Sequence, residues 1–142
     1  MGKEKRINGF TLIEVLFAIL LIGIGISALI GANIAFTRAN GFGANLSTAE
    51  FLIEQIRELT VQMSYADLFS LDDNSYSPPI DAEGTALSDF DAFTQEITVQ
   101  NVSNTNFENV VADGTSDFVR VTVTVLLKSE QISSANWIRA QY

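Results

Sequence analysis

Gly9-Phe10-Thr11-Leu12-Ile13-Glu14-Val15-Leu16 sets one carboxylate inside an otherwise uncharged apolar segment, directly behind a short basic leader. A charge near the middle of a membrane helix costs roughly 2.5–3.5 kcal/mol on insertion scales, and less near the interface. Glu14 therefore calls for an opposite charge. Beyond it, Val15 to Thr37 contains no charged residue. Eighteen or more such residues in a helix can cross a hydrocarbon core of about 30 Å. A secretory signal would have an apolar core of about 7–15 residues ending at a small-residue cleavage site. This run is longer and no such site follows it.

Lys3, Lys5 and Arg6 lie on the amino side of the run, and no comparable basic cluster follows Arg38. Short basic flanks stay in the cytoplasm, so the carboxyl part is expected across the membrane. The chain of 142 residues has a net charge of −9. The leader holds three bases and one acid, which leaves five bases against sixteen acids, a net −11, after Gly9. An acidic domain of this kind does not capture nucleic acid, which needs clustered Lys and Arg. Cysteine and histidine are absent. That excludes disulfides, the common zinc sites and histidine-based triads.

The leader and the run together, Met1-Gly2-Lys3-Glu4-Lys5-Arg6-Ile7-Asn8-Gly9 followed by Phe10-Thr11-Leu12-Ile13-Glu14, resemble the processing motif of type IV prepilins and pseudopilins. The resemblance is specific from Lys3 to about Asn33. It implies that a membrane aspartic peptidase cuts between Gly9 and Phe10 and methylates the new amino terminus of Phe10. Gly9 suits a scissile position because it has no side chain to obstruct an extended backbone. The resemblance further implies that Glu14 meets the Phe10 amino group of a neighbouring subunit and helps set register during assembly. A carboxylate in low dielectric needs such a partner.

The chain is divided into a leader over 1–9, a transmembrane and filament-core helix over 10–36, and an amphipathic helix plus acidic head over 37–142. Gly41-Phe42-Gly43 is expected to bend or fray the helix, since each Gly costs about 1 kcal/mol against Ala. Leu46, Ala49, Leu52, Ile53, Ile56, Leu59 and Met63 then recur at helical spacing, with Glu50, Glu54, Arg57 and Glu58 on other faces. Phe10 to Met63 would reach roughly 80 Å as one helix, too long for a compact globule of this size. Half of it is expected to protrude.

Tyr65 to Phe93 carries both prolines and the acids Asp67, Asp72, Asp73, Asp81, Glu83, Asp89 and Asp91, and reads as a long excursion with little regular structure. The acids lack the spacing of an EF-hand loop, so they read as solvated charge, not a calcium site. Gln95–Val102 and Phe118–Leu127 alternate as strands, and Ser134–Tyr142 could add a last one. Ser103–Asp117 is too long for a tight hairpin. The fold class is α+β, a long N-terminal helix on a small antiparallel sheet, which the resemblance also implies. Trp137 and Tyr142 read as sheet packing. The tripeptides Asn45-Leu46-Ser47 and Asn101-Val102-Ser103 fit a glycosylation pattern too common by chance to carry weight.

The function expected is structural: a subunit of a type IV pilus-like filament, with no cofactor and no metal. Ala44 to Arg57 resembles the corresponding helix of minor pilins of the pilus-modification type, and of pseudopilins in type II secretion to a comparable degree. Expected partners are other pilin or pseudopilin subunits, the prepilin peptidase and N-methyltransferase, the inner-membrane assembly platform and the lipid bilayer. The expected location is the bacterial inner membrane, then a surface or periplasmic filament. The alternative is an anchored extracytoplasmic binding module. An anchored enzyme is disfavoured: Lys128 is the one lysine after the leader, it falls in a strand pattern, and no nucleophile motif accompanies it.

Overall fold

The computed structural model describes residues 10–141. Gly9, with the rest of the leader, and Tyr142 lie outside the described residues. The chain divides into two compact units, with the boundary between Phe42 and Gly43.

The first secondary element, α1, spans Leu12–Gln62. Thr11 opens it: the Glu14 N–H donates to the Thr11 carbonyl (3.1 Å) and more loosely to Thr11 Oγ1 (3.4 Å). Helix continues through Gly41-Phe42-Gly43 without a fray, so the glycine pair does not stop α1. Each interior residue of a growing helix adds a hydrogen bond without a new nucleation cost, and this outweighs two weak formers. In the first unit every side chain from Phe10 to Phe42 is exposed. The hydroxyls there bond back to their own helix, Ser27 Oγ to the Gly23 carbonyl (2.8 Å) and Thr37 Oγ1 to that of Asn33 (3.0 Å). Such back-bonding satisfies polar groups that a membrane cannot.

In the second unit the amphipathic stripe of α1 behaves as read: Ala49, Leu52, Ile53 and Ile56 are buried, with Leu59 and Met63 packed beside them. The face they meet belongs to a four-stranded antiparallel sheet in the order β1 (Asn74–Tyr76), β2 (Phe93–Asn101), β3 (Phe118–Leu127), β4 (Glu130–Ala140). Strand alternation sends Val119, Val121, Val123 and Val125 inward, all fully buried. Val99 pairs with Val121 and Ile97 with Val123 across β2 and β3. Among the described residues these form one core.

Three departures from the sequence reading are instructive. The excursion after α1 is more ordered than expected. It contains α2 (Tyr65–Leu68), two single 3₁₀ turns (Phe69–Leu71 and Ser88–Phe90) and β1, and it plugs Leu68, Leu71, Ile80 and Ala82 into the interior. β4 begins at Glu130, earlier than the Ser134 start inferred for the tail. Lys128 is not within a strand: Lys128 and Ser129, with φ of 52° and 70°, make the two-residue turn between β3 and β4. Two successive positive φ values match the right-handed twist of the flanking strands, and the hairpin imposes them on residues that seldom adopt them.

Two inward positions of β2 are polar. Gln95 is fully buried, accepts the Ile80 N–H (2.8 Å) and donates to the carbonyls of Leu52 (2.9 Å) and Ile80 (3.2 Å). It fastens helix, sheet and excursion with one side chain. At the other end of the core, Arg139 on β4 donates to the carbonyls of Thr60 and Met63. α1 has no base in its own last turn, and β4 supplies one.

Candidate functional site

The amino-terminal end of α1 is a capping box. Thr11 and Glu14 stand three apart, and the Thr11 N–H donates back to Glu14 Oε2 (3.5 Å) while Thr11 Oγ1 takes the Glu14 N–H. A T-x-x-E pair of this kind satisfies helix-end donors reciprocally. The signal stands in the sequence as a Thr-x-x-Glu pair at the head of the apolar run. The contacts are long, so the carboxylate remains exposed and open to a stronger donor. α1 begins at Leu12, two residues later than read from the sequence, which leaves Phe10 outside the helix and 82% exposed. The structure thus places Phe10 and Glu14 at one end of α1. Gly9, the other half of the expected cleavage pair, is outside the described residues.

From Glu14 the helix presents apolar side chains on all sides up to Arg38. Leu20, Leu21, Ile22, Ile24 and Leu29 are among the exposed ones. Among the described residues α1 is the one helix long and apolar enough to cross a membrane. A helix apolar all round needs lipid or other helices against it.

Among its described residues the head holds no comparable chemistry. Asp72 Oδ1 accepts the Val99 N–H (2.7 Å), and Asp81 Oδ1 accepts those of Glu83 (3.0 Å) and Thr85 (2.7 Å). These carboxylates serve the backbone. Among the described residues no three acidic side chains come together as a metal site. Tyr65 donates to the Ser116 carbonyl (3.1 Å) and, more weakly, to Asn101 Oδ1 (3.4 Å), tying α2 to the loop before β3. Burial pushes its phenol above the ordinary value, and the Asp117 carboxylate adds to the rise. Trp137 packs against the core under the Arg57 guanidinium, 5.3 Å from the ring centre. Arg57 also pairs with Glu54 at 3.3 Å, on the surface, where such a pair adds little.

Against known proteins, residues 5–30 match the family model of the prokaryotic N-terminal methylation motif. No curated protein and no solved structure matches the chain. The matched segment covers the capping box and most of the exposed apolar helix. The chain therefore carries the signature of type IV prepilins and pseudopilins, joined to an α+β domain of pilin-like architecture.

Proposed function

We propose that the protein is a structural subunit of a type IV pilus-like filament, as a minor pilin. The observation that carries this reading is the methylation motif over residues 5–30, seated on a helix whose apolar side chains are exposed all round. In this reading a prepilin peptidase cuts between Gly9 and Phe10 and methylates Phe10. The subunit waits in the inner membrane with its acidic domain outside, and an assembly platform then moves it into the filament. The apolar face of α1 serves twice, first against lipid and then against other helices. Glu14 receives the new amino group of a neighbouring Phe10, an interaction of opposite charges in low dielectric.

The same signature serves pseudopilins of type II secretion. Between a minor subunit and a major pilin, the minor subunit is favoured because the head, without cysteine, has no disulfide-bounded loop of the kind many major pilins carry; a pseudopilin remains the alternative reading.

The test is the intact mass and amino-terminal sequence of the protein from membranes of its own host. A chain beginning at N-methylated Phe10 supports the proposal. A chain that keeps Met1 beside an active prepilin peptidase overturns it in favour of an anchored binding module. Glu14→Ala is expected to be cleaved but to enter filaments poorly, measured in the sheared-filament fraction. Normal incorporation would remove Glu14 from assembly.

A further inference from the structure

Between Phe10 and Ala49 the charged side chains are Glu14 and Arg38 alone. Both are exposed on α1, and neither joins an ion pair among the described residues. They bracket the uncharged run at its two ends. Twenty-four positions separate them, about 36 Å along a helix at 1.5 Å per residue. A bundle of such helices takes both charges out of water, and a buried ion is tolerated where an opposite ion meets it.

Three arrangements of two copies can be compared. Parallel helices without offset set Glu14 beside Glu14 and Arg38 beside Arg38, repelling at both ends. Antiparallel helices match the charges but place the two basic leaders on opposite sides of a membrane, against the bias set by Lys3, Lys5 and Arg6. Parallel helices offset by twenty-four residues bring Glu14 of one copy to Arg38 of the other with both orientations kept. We propose that α1 docks on a second copy of this chain in that offset register, joined by a Glu14–Arg38 ion pair. The proposal rests on the filament reading and adds to it a contact between like subunits.

Two consequences follow from the helix geometry. The offset exceeds the hydrocarbon thickness of about 30 Å, so two copies spanning one bilayer cannot make the pair. It forms when one copy has moved out, and it marks the assembled state. Twenty-four residues also turn the helix so that the two charges face about 120° apart. The contact uses two different faces, and a contact of that type propagates as an open helical array. The planar guanidinium of Arg38 suits a carboxylate. Glu14, with two oxygens, can accept from it and from a neighbouring Phe10 amine together.

Because the chain has no cysteine, introduced thiols are unique. Ala18 lies one turn beyond Glu14 and Phe42 one turn beyond Arg38, so Ala18→Cys with Phe42→Cys keeps the spacing and the faces. In filaments sheared from the host and treated with a short bismaleimide, the double variant is expected to give a ladder of covalent multimers of this chain. Each single variant is expected to stay monomeric. Filaments that form without the ladder, that link through Ala18→Cys alone, or that link only to a subunit of other sequence overturn the offset contact and leave the filament reading standing. An uncleaved parental chain that never enters filaments overturns both. If the cysteine pair itself prevents assembly, Arg38 decides. Arg38→Gln and Arg38→Glu should lose sheared filament with membrane insertion and cleavage unchanged, and Arg38→Lys should retain it. Parental assembly by Arg38→Glu overturns the pair.

Discussion

From Phe10 to Phe42, leucine and isoleucine side chains face outward on every side of α1. From Gly43 onward the same residue types in the same helix face inward on one stripe. Leu20, Leu21 and Ile22 are exposed, while Leu52 and Ile56 are wholly buried. Leucine and isoleucine occur in both regions; what separates the two is charge. Glu50, Glu54, Arg57 and Glu58 cover the remaining faces of the second stretch and leave one stripe for a core. The first stretch has no polar face to offer water, so its apolar surface must be met by something other than its own chain. One unit completes its burial by folding, the other by insertion or assembly.

Matched charge insertions give the largest test of that contrast. Val121→Asp buries a carboxylate among β2, β3 and α1, costing several kcal/mol, enough to unfold a domain of ordinary stability. Ile22→Asp should leave the head's unfolding midpoint unchanged and impair membrane insertion by about 2.5–3.5 kcal/mol. The fluorescence of Trp137, the single tryptophan, reads the first in detergent. Membrane fractionation reads the second. Equal unfolding midpoints for the two variants would break the comparison.

Within the head, Gln95→Leu sharpens it by asking how far a polar core residue matters. The change leaves the buried Ile80 N–H without its acceptor, and about 1–3 kcal/mol of stability should go with it. A denaturant midpoint equal to that of the parent would show that the excursion holds without Gln95. Arg139→Ala should cost less, about 1–2 kcal/mol, by freeing the Thr60 and Met63 carbonyls at the end of α1. Amide exchange confined to the last turn of α1 is the expected signature.

The smallest effect is alkaline. The phenol of Tyr65 is raised in the folded chain, so the native state holds that proton more tightly than the unfolded state does. The stabilisation is complete below the ordinary tyrosine value near 10 and is lost as pH rises through the folded value. Tyr65→Phe should flatten that part of the stability curve, measured by denaturant midpoints from pH 8 upward to roughly 11.

What the sequence made legible is what repeats at short range. Val119 to Val125 alternate, Ala49 to Ile56 recur at helical spacing, and both patterns name the core facing them. The capping box at Thr11 and Glu14 was equally open to reading, but Glu14 drew attention for its charge. Positions whose role depends on distant partners were closed to it. Nothing local marks Arg139 as the base for the end of α1, or Gln95 as the clasp of Ile80. β1 has three residues and no alternation to detect, and it exists because Asn74 to Tyr76 pair with Gln95 to Ile97. Lys128 looked like strand because the strand-forming run ends just before it. The turn is dictated by β4 returning along β3, not by its own two residues. The methylation motif over residues 5–30 was legible as a motif, and Arg38 stands out only because neither it nor Glu14 joins an ion pair among the described residues.

The Lys128-Ser129 turn has a practical side. It is exposed at the tip of the β3–β4 hairpin, away from the inward valines, and such tips tolerate change. Lysines otherwise occur only at positions 3 and 5. A chain shortened at Phe10 would therefore display a single lysine amine besides its new amino terminus, and with that terminus secluded against Glu14 in a fibre an amine-reactive dye would mark each subunit once. Counting that dye along a fibre would turn a two-residue hairpin turn into a stoichiometer for the assembly.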